Sequence, residues 1–192
     1  MQEENIMNFI NSYFESNEYF FITIINHQNN KTTNYHHNIH SFQRNLSKIL
    51  YANSESSIYF TINSFKDEEN SFLNKYKYPA KVKGNVSKVK ALVFDFDDPT
   101  TSKLNVANLI KTLKILPTYT LRTSPRKFQI CFMLNDSIDS LNWEKVNKTL
   151  AYYFDSDINV CSMEKLFRLP YFINRKNDFQ TKLINPDFSF RY

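Results

Sequence analysis

Two aspartates two residues apart, at the end of an apolar run, carry the sharpest chemical signal in this chain: Ala91-Leu92-Val93-Phe94-Asp95-Phe96-Asp97. Along a β-strand, residues i and i+2 project from the same face, roughly 7 Å apart at ~3.3 Å per residue. The carboxylates of Asp95 and Asp97 would then stand side by side. Like charges so placed repel, and one carboxyl keeps its proton unless a cation joins the pair. A divalent ion supplies that charge, and hard Mg2+ or Mn2+ prefers carboxylate oxygens. The plainer alternative is a strand ending in a solvated acidic turn at Asp98-Pro99.

Two further segments bear on that choice. Arg122-Thr123-Ser124-Pro125-Arg126-Lys127-Phe128-Gln129 sets two hydroxyls, three bases and an amide between two expected strands. Such a group suits a triphosphate bound by side chains, and it also reads as a polar hairpin loop. Asp155-Ser156-Asp157 is followed by Arg168-Leu169-Pro170 and then by Asn174-Arg175-Lys176. A third carboxylate near the first two would complete a metal site, with Arg168, Arg175 and Lys176 left to neutralise phosphates. The alternative is a loop of solvated charges.

Alternating elements must position these groups. Ile6, Phe9, Ile10, Tyr13 and Phe14 fall at helical spacing over residues 3–17. Residues 19–26 and 58–63 are β-branched and aromatic, as buried strands are, with a polar loop expected through Asn38 and a helix over 41–51. Periodicity is lost over 64–88. Residues 90–96 read as a central strand, and Thr101 or Ser102 would cap a helix that runs to Leu116, just before Pro117. Strands over 118–122 and 128–134 and a helix presenting Trp143, Val146, Leu150 and Tyr153 complete the pattern. This order predicts an α+β domain around a mixed or antiparallel sheet, in the manner of the RNA-recognition fold.

Composition sets the remaining bounds. At 192 residues the chain suffices for one domain with a real core, filled largely by its 18 Phe and 12 Tyr. Gly84 is the sole glycine, which excludes a GxGxxG turn and a Walker loop, so phosphate must be held by side chains, helix N-termini or metal. The formal charge of +5 attracts polyanions without identifying one. Cys131 and Cys161 are too few for a disulfide framework and read as buried thiols of a cytoplasmic protein. No signal peptide and no run of ~18 apolar residues is found, so no membrane span is expected.

Taken in order, the segments resemble the archaeo-eukaryotic primase superfamily, and within it the plasmid and phage replication primases of RepB type. Ile58-Tyr59-Phe60-Thr61-Ile62-Asn63 is similar to that family's early strand ending in Asn. Residues 92–97 resemble its first motif, hydrophobic residues followed by Asp-x-Asp. Residues 124–129 have the length of its second motif, which opens with Ser and usually ends in His. Residues 157–176 resemble its third, an acid upstream of Arg-Leu-Pro-Gly-x-x-Asn-x-Lys. Gln129 stands where many members have His, and it can donate to a phosphate but not act as an acid near neutral pH. Tyr171 replaces the glycine after Arg168-Leu169-Pro170.

The resemblance implies an RNA-recognition-like primase core spanning 1–192, with residues 1–55 as an N-terminal α/β part and 56–180 bearing the motifs. It implies a nucleotidyltransferase in which Asp95, Asp97 and Asp157 hold two divalent ions, Mg2+ or Mn2+, that activate a 3′-hydroxyl and steady the departing pyrophosphate. Ser124, Arg126, Lys127, Gln129 and Arg168 would orient the triphosphate. Arg175, Lys176, Lys81 and Lys83 would track nucleic-acid phosphates, with Tyr76 or Tyr78 stacking bases. The implied partners are a single-stranded DNA template, nucleoside triphosphates and a replicative helicase.

Three rival readings make different demands. A phosphatase of the haloacid dehalogenase type would use Asp95 as nucleophile and Asp97 as acid, but that motif continues with Thr or Val where Pro99 stands. A non-catalytic single-strand-binding module would need an open sheet face and no metal. A nicking site built on His36, His37 and His40 lacks the alternation that puts two ligands on one strand face, and a polar loop is expected there.

Overall fold

The computed structural model describes residues 1–75, 77–135 and 138–192; Tyr76, one of the two expected stacking residues, lies outside them. In chain order the helices are α1 (Gln2–Tyr13), α2 (Ile39–Ala52), α3 (Ser102–Leu113) and α4 (Ser140–Tyr153). The longer strands are β1 (Phe20–Asn26), β2 (Lys31–His37), β3 (Ser57–Thr61), β6 (Ala91–Phe96), β7 (Tyr119–Ser124) and β8 (Lys127–Met133). Short ones are β4 (Ser64–Phe65), β5 (Val86–Lys88), β9 (Leu166–Arg168), β10 (Ile173–Asn174), β11 (Phe179–Gln180) and β12 (Lys182–Ile184). Two four-stranded antiparallel sheets result, ordered β2-β1-β3-β9 and β12-β7-β8-β6. The mixed helix and antiparallel sheet expected from the sequence is what the chain forms.

Helix α1 knits the sheets together. Its Ile6, Phe9, Ile10 and Tyr13 share one buried face, spaced as 3.6-residue turns require. Phe9 meets Phe60 of β3 edge-on at 5.5 Å and Tyr119 of β7 at the same distance. Tyr13 donates to the carbonyl of Ile62 at 2.9 Å and touches the Cys131 sulfur of β8 at 3.8 Å. Large aromatics suit this role because each buries much area with few rotatable bonds. Helix α2 covers the same face of the first sheet, where Phe42 packs on Phe20, and a capping box between Asn38 and Ser41 fixes its start.

The strand carrying Asp95 departs from expectation. β6 is an edge strand, not a central one. Its sequence is apolar because both of its faces are covered: Val93 lies inward beside Cys131, while Phe94 packs outward against Phe132 and Phe154. Its open edge is covered as well. Trp143 of α4 donates its indole N–H to the Ala91 carbonyl at 2.8 Å. One helical turn on, the Asn147 amide accepts from the Val93 N–H at 2.9 Å and donates to the Val93 carbonyl at 3.2 Å. The buried face of α4 is thus Trp143, Asn147 and Ala151. Val146 and Tyr153, expected on that face, are exposed.

The stretch expected as a polar loop through Asn38 is instead β2, paired with β1 along its whole length. Asn26 and Asn29 accept backbone N–H groups in the connecting turn, and Asn30 takes the left-handed φ of 55°. The histidines scatter accordingly. His27 meets Ser57, His36 the Lys66 carbonyl and His37 Ser41, and among the described residues no histidine belongs to a metal-like group.

Candidate active site

The site lies where two sheet edges meet, β6 of one and β9 of the other. Asp95 pairs with Gln129 across β6 and β8, so both side chains rise from the same face. Gln129 is buried and both ends of its amide are engaged: Nε2 donates to Asp95 Oδ2 at 2.9 Å, and Oε1 accepts the Arg168 N–H at 3.1 Å. One side chain therefore ties the first acid to the arginine strand of the other sheet. Beyond β9, the Asn174 amide of β10 donates to the Thr123 carbonyl of β7 at 3.0 Å.

The backbone of Asp95 is fixed as firmly as its carboxylate. Ser156 Oγ accepts the Asp95 N–H at 2.9 Å and lies 3.1 Å from its carbonyl, which also accepts the Asp157 N–H at 2.9 Å. The turn bearing Asp157 is thereby docked on the end of β6. Convergence of the first and third acids, expected from three separated segments, is present at the level of the chain.

The side chains are less gathered. Asp97 lies past the strand end, exposed, with its Oδ1 3.5 Å from the Lys127 ammonium. The Asp157 carboxylate caps its own turn, accepting from the backbone and side-chain N–H groups of Asn159 at 2.9 and 2.8 Å. Among the described residues no three acids or histidines stand close enough to hold an ion as placed. Asp95, in contrast, has a buried Oδ1 with no hydrogen-bond partner. Burial pushes its carboxyl up to about 7, reinforced by the charges of Asp97 and Asp157 and opposed by the Gln129 hydrogen bond and Arg168. An orphaned oxygen among like charges is the electrostatic demand that a divalent cation meets, so the donor set fits Mg2+ or Mn2+.

The remaining expected residues divide into two groups. Around the acids stand Ser124, buried at the end of β7; Arg126, exposed in the turn before β8; Lys127, on Asp97; and Arg168. Arg168 is buried, its guanidinium 4.7 Å from the centre of the Tyr59 ring, and burial lowers its pKa against the opposing pull of Tyr59, Asp95 and Asp97. Others are held elsewhere. Arg175 donates to the Asn53 carbonyl at 2.6 Å and pairs with Asp178 at 3.0 Å. Lys81 donates to the Glu164 carbonyl at 3.1 Å, Lys83 pairs with Glu144 at 2.5 Å, and Lys176 is exposed. Tyr171, standing where the resembled motif has glycine, keeps a left-handed φ of 70°.

Sequence reasoning missed Asn147, Ser156 and Tyr59 as parts of this site. A polar amide one turn after a buried tryptophan was the available signal for Asn147.

The sequence matches the RepB DNA-primase N-terminal domain over residues 25–184. No curated protein sequence matches it. Among solved structures, the catalytic domain of primase RepB′ in complex with initiator DNA is similar at 17% identity and a TM-score of 0.68, over 95% of this chain and 86% of that one. A longer structure of primase RepB′ matches with the same identity and TM-score, and there this chain covers 57% of it. The AEP domain of the cyanophage S-2L primase-polymerase is similar at 11% identity and a TM-score of 0.68, over 97% and 94% of the two chains. At these identities the likeness is one of fold.

Proposed function

The chain belongs to the RepB DNA-primase N-terminal domain family and is therefore a nucleotidyltransferase of the plasmid or phage replication type; from this premise we propose that Asp95, Asp97 and Asp157 are the acids at which it joins nucleotides on a single-stranded DNA template. The observation that carries the reading is the Asp95 carboxylate, with one buried oxygen lacking any donor and two further acids close enough to raise its pKa. When bound there, a pair of divalent ions supplies Lewis acidity toward the attacking 3′-hydroxyl and the departing pyrophosphate.

The chain's own residues do the positioning. Gln129 holds one Asp95 oxygen, and the other is left without a donor. Asp97 leaves Lys127, and Asp157 turns from Asn159, to join it. Lys127, once released, faces the triphosphate together with Arg126 and Ser124, and Arg168 is kept flat by the Tyr59 ring so that its fork presents fixed donors to phosphate oxygens. Because Gln129 is engaged at both ends, its work is to hold Asp95 and β9 in register. That is a narrower role than the phosphate contact expected from the sequence.

Incubation of the purified chain with labelled nucleotide, single-stranded DNA and Mg2+ or Mn2+, with and without primer, tests the proposal. Wild type incorporates label and Asp97→Asn does not. Synthesis retained by an Asp95→Asn/Asp97→Asn double variant refutes the assignment.

A further inference from the structure

Lys83, distant in sequence from α4, comes to rest against it and Lys81 against the segment that follows it, so the grouping they form differs from the one expected. Lys83 and Lys148 both reach Glu144, at 2.5 and 3.9 Å. Lys81 lies on the Glu164 carbonyl, close enough to Lys165 for that charge to help lower its pKa, after burial. Lys145 is exposed one turn before Lys148 on the same helical stripe. Three ammonium groups, those of Lys81, Lys83 and Lys148, therefore lie by Glu144 and Glu164, with Lys145 and Lys165 adjacent to these acids in sequence. Among the described residues Lys145 and Lys165 have no acidic partner.

Between Lys148 and Lys165 runs an open groove of about 580 Å3, lined also by Tyr152, Ile158, Asn159 and Glu164. Its lining includes the two residues that follow Asp157, Ile158 and Asn159. Tyr152 is 83% exposed and Ile158 53% exposed, so an aromatic ring and an aliphatic side chain stand in solvent beside a surplus of positive charge. Phosphates spaced along a strand with planar bases between them match that arrangement. An acidic peptide would use the lysines and leave the tyrosine idle.

We infer that this groove, from Lys148 on α4 to Lys165 and ending at the Asp157 turn, seats the single-stranded DNA template next to the acids. The inference rests on the nucleotidyl-transfer reading above and adds to it the path of the strand. Lys148 and Lys165 take backbone phosphates, and Tyr152 stacks a base. Lys81 and Lys83 act from the rim, tempered by Glu144 and Glu164.

Fluorescence anisotropy of a labelled oligothymidylate with the full chain in EDTA tests this without any contribution from metal. Lys148→Ala/Lys165→Ala lowers affinity about ten-fold or more and flattens the slope of log affinity against log salt by about 1.4, as two lost phosphate contacts require. Tyr152→Ala lowers affinity about five-fold or more and leaves the slope unchanged. Lys148→Arg/Lys165→Arg retains binding, which separates charge from folding. Lys103→Ala/Lys111→Ala on α3 makes the same change of charge elsewhere and stays within about two-fold of wild type. Equal affinities for the groove pair and the α3 pair, or no binding by wild type, overturn the inference. Groove-dependent binding by a wild type that never extends a strand supports the groove and places the failure in the transfer chemistry.

Discussion

β2 and β6 each close one end of a four-stranded antiparallel sheet, yet their compositions are opposite. β2 reads Lys-Thr-Thr-Asn-Tyr-His-His, with most of its residues at least partly exposed. A polar edge is how sheets usually discourage pairing with a stranger. β6 reads Ala-Leu-Val-Phe-Asp-Phe, with its edge carbonyls and N–H groups taken by Trp143, Asn147, Ser156 and Asp157. The difference teaches what a site asks of an edge. An edge that must present a carboxylate at a fixed place cannot be left to solvent, so side chains of α4 and its following turn act as a substitute strand.

The contrast yields predictions of descending size. Asp95→Asn keeps the Gln129 contact in shape but removes the charge, and steady-state incorporation assays should show a fall of about 10^3-fold or more in rate. Asn147→Leu leaves the Val93 N–H and carbonyl buried without partners, and urea denaturation should show a loss of about 2–4 kcal/mol, with slower incorporation because the strand carrying Asp95 loses its edge contacts two residues before it. Ser156→Ala removes one hydroxyl from the same edge and should cost about 1–2 kcal/mol by the same measurement. Thr32→Ala, on the exposed edge of β2, should fall within about 0.5 kcal/mol of wild type. If Thr32→Ala proves as damaging as Ser156→Ala, the two edges do not differ in the way described.

These edges also show what was legible beforehand. β6 was recognisable because apolar residues covered on both faces form an unbroken run, and Asp95 and Asp97 stood out as charges at its end. Its place at the edge was not legible, since a helix covering an edge leaves the same run as a neighbouring strand does. β2 was missed because its pairing with β1 is a backbone matter and its side chains look like a loop. The convergence of the Asp157 turn on Asp95 was one of two readings of the separated acidic segments, and the resemblance chose it; no local pattern fixed it. The Ser156 and Asn147 contacts that produce it join residues 54 to 61 positions apart. Lys81 and Lys83 were noticed as bases in a segment without periodicity, but their partners, Glu164 and Glu144, could be found only once the chain was folded.

The proposal that Asp95 takes a divalent cation turns on its buried Oδ1, which has no donor. The Asp95 carboxyl is pushed up to about 7, above the ordinary value it has when unfolded. The unfolded chain therefore releases this proton first, and stability without metal falls as pH rises from about 4 to about 7, with the full penalty present above that. Thermal melting with and without Mn2+ at pH 8 and pH 5 reads this directly. The account predicts that Mn2+ raises the wild-type midpoint at pH 8, does so less at pH 5, and does nothing comparable for Asp95→Asn, whose metal-free midpoint at pH 8 already exceeds that of wild type. Equal Mn2+ shifts in wild type and Asp95→Asn would contradict it.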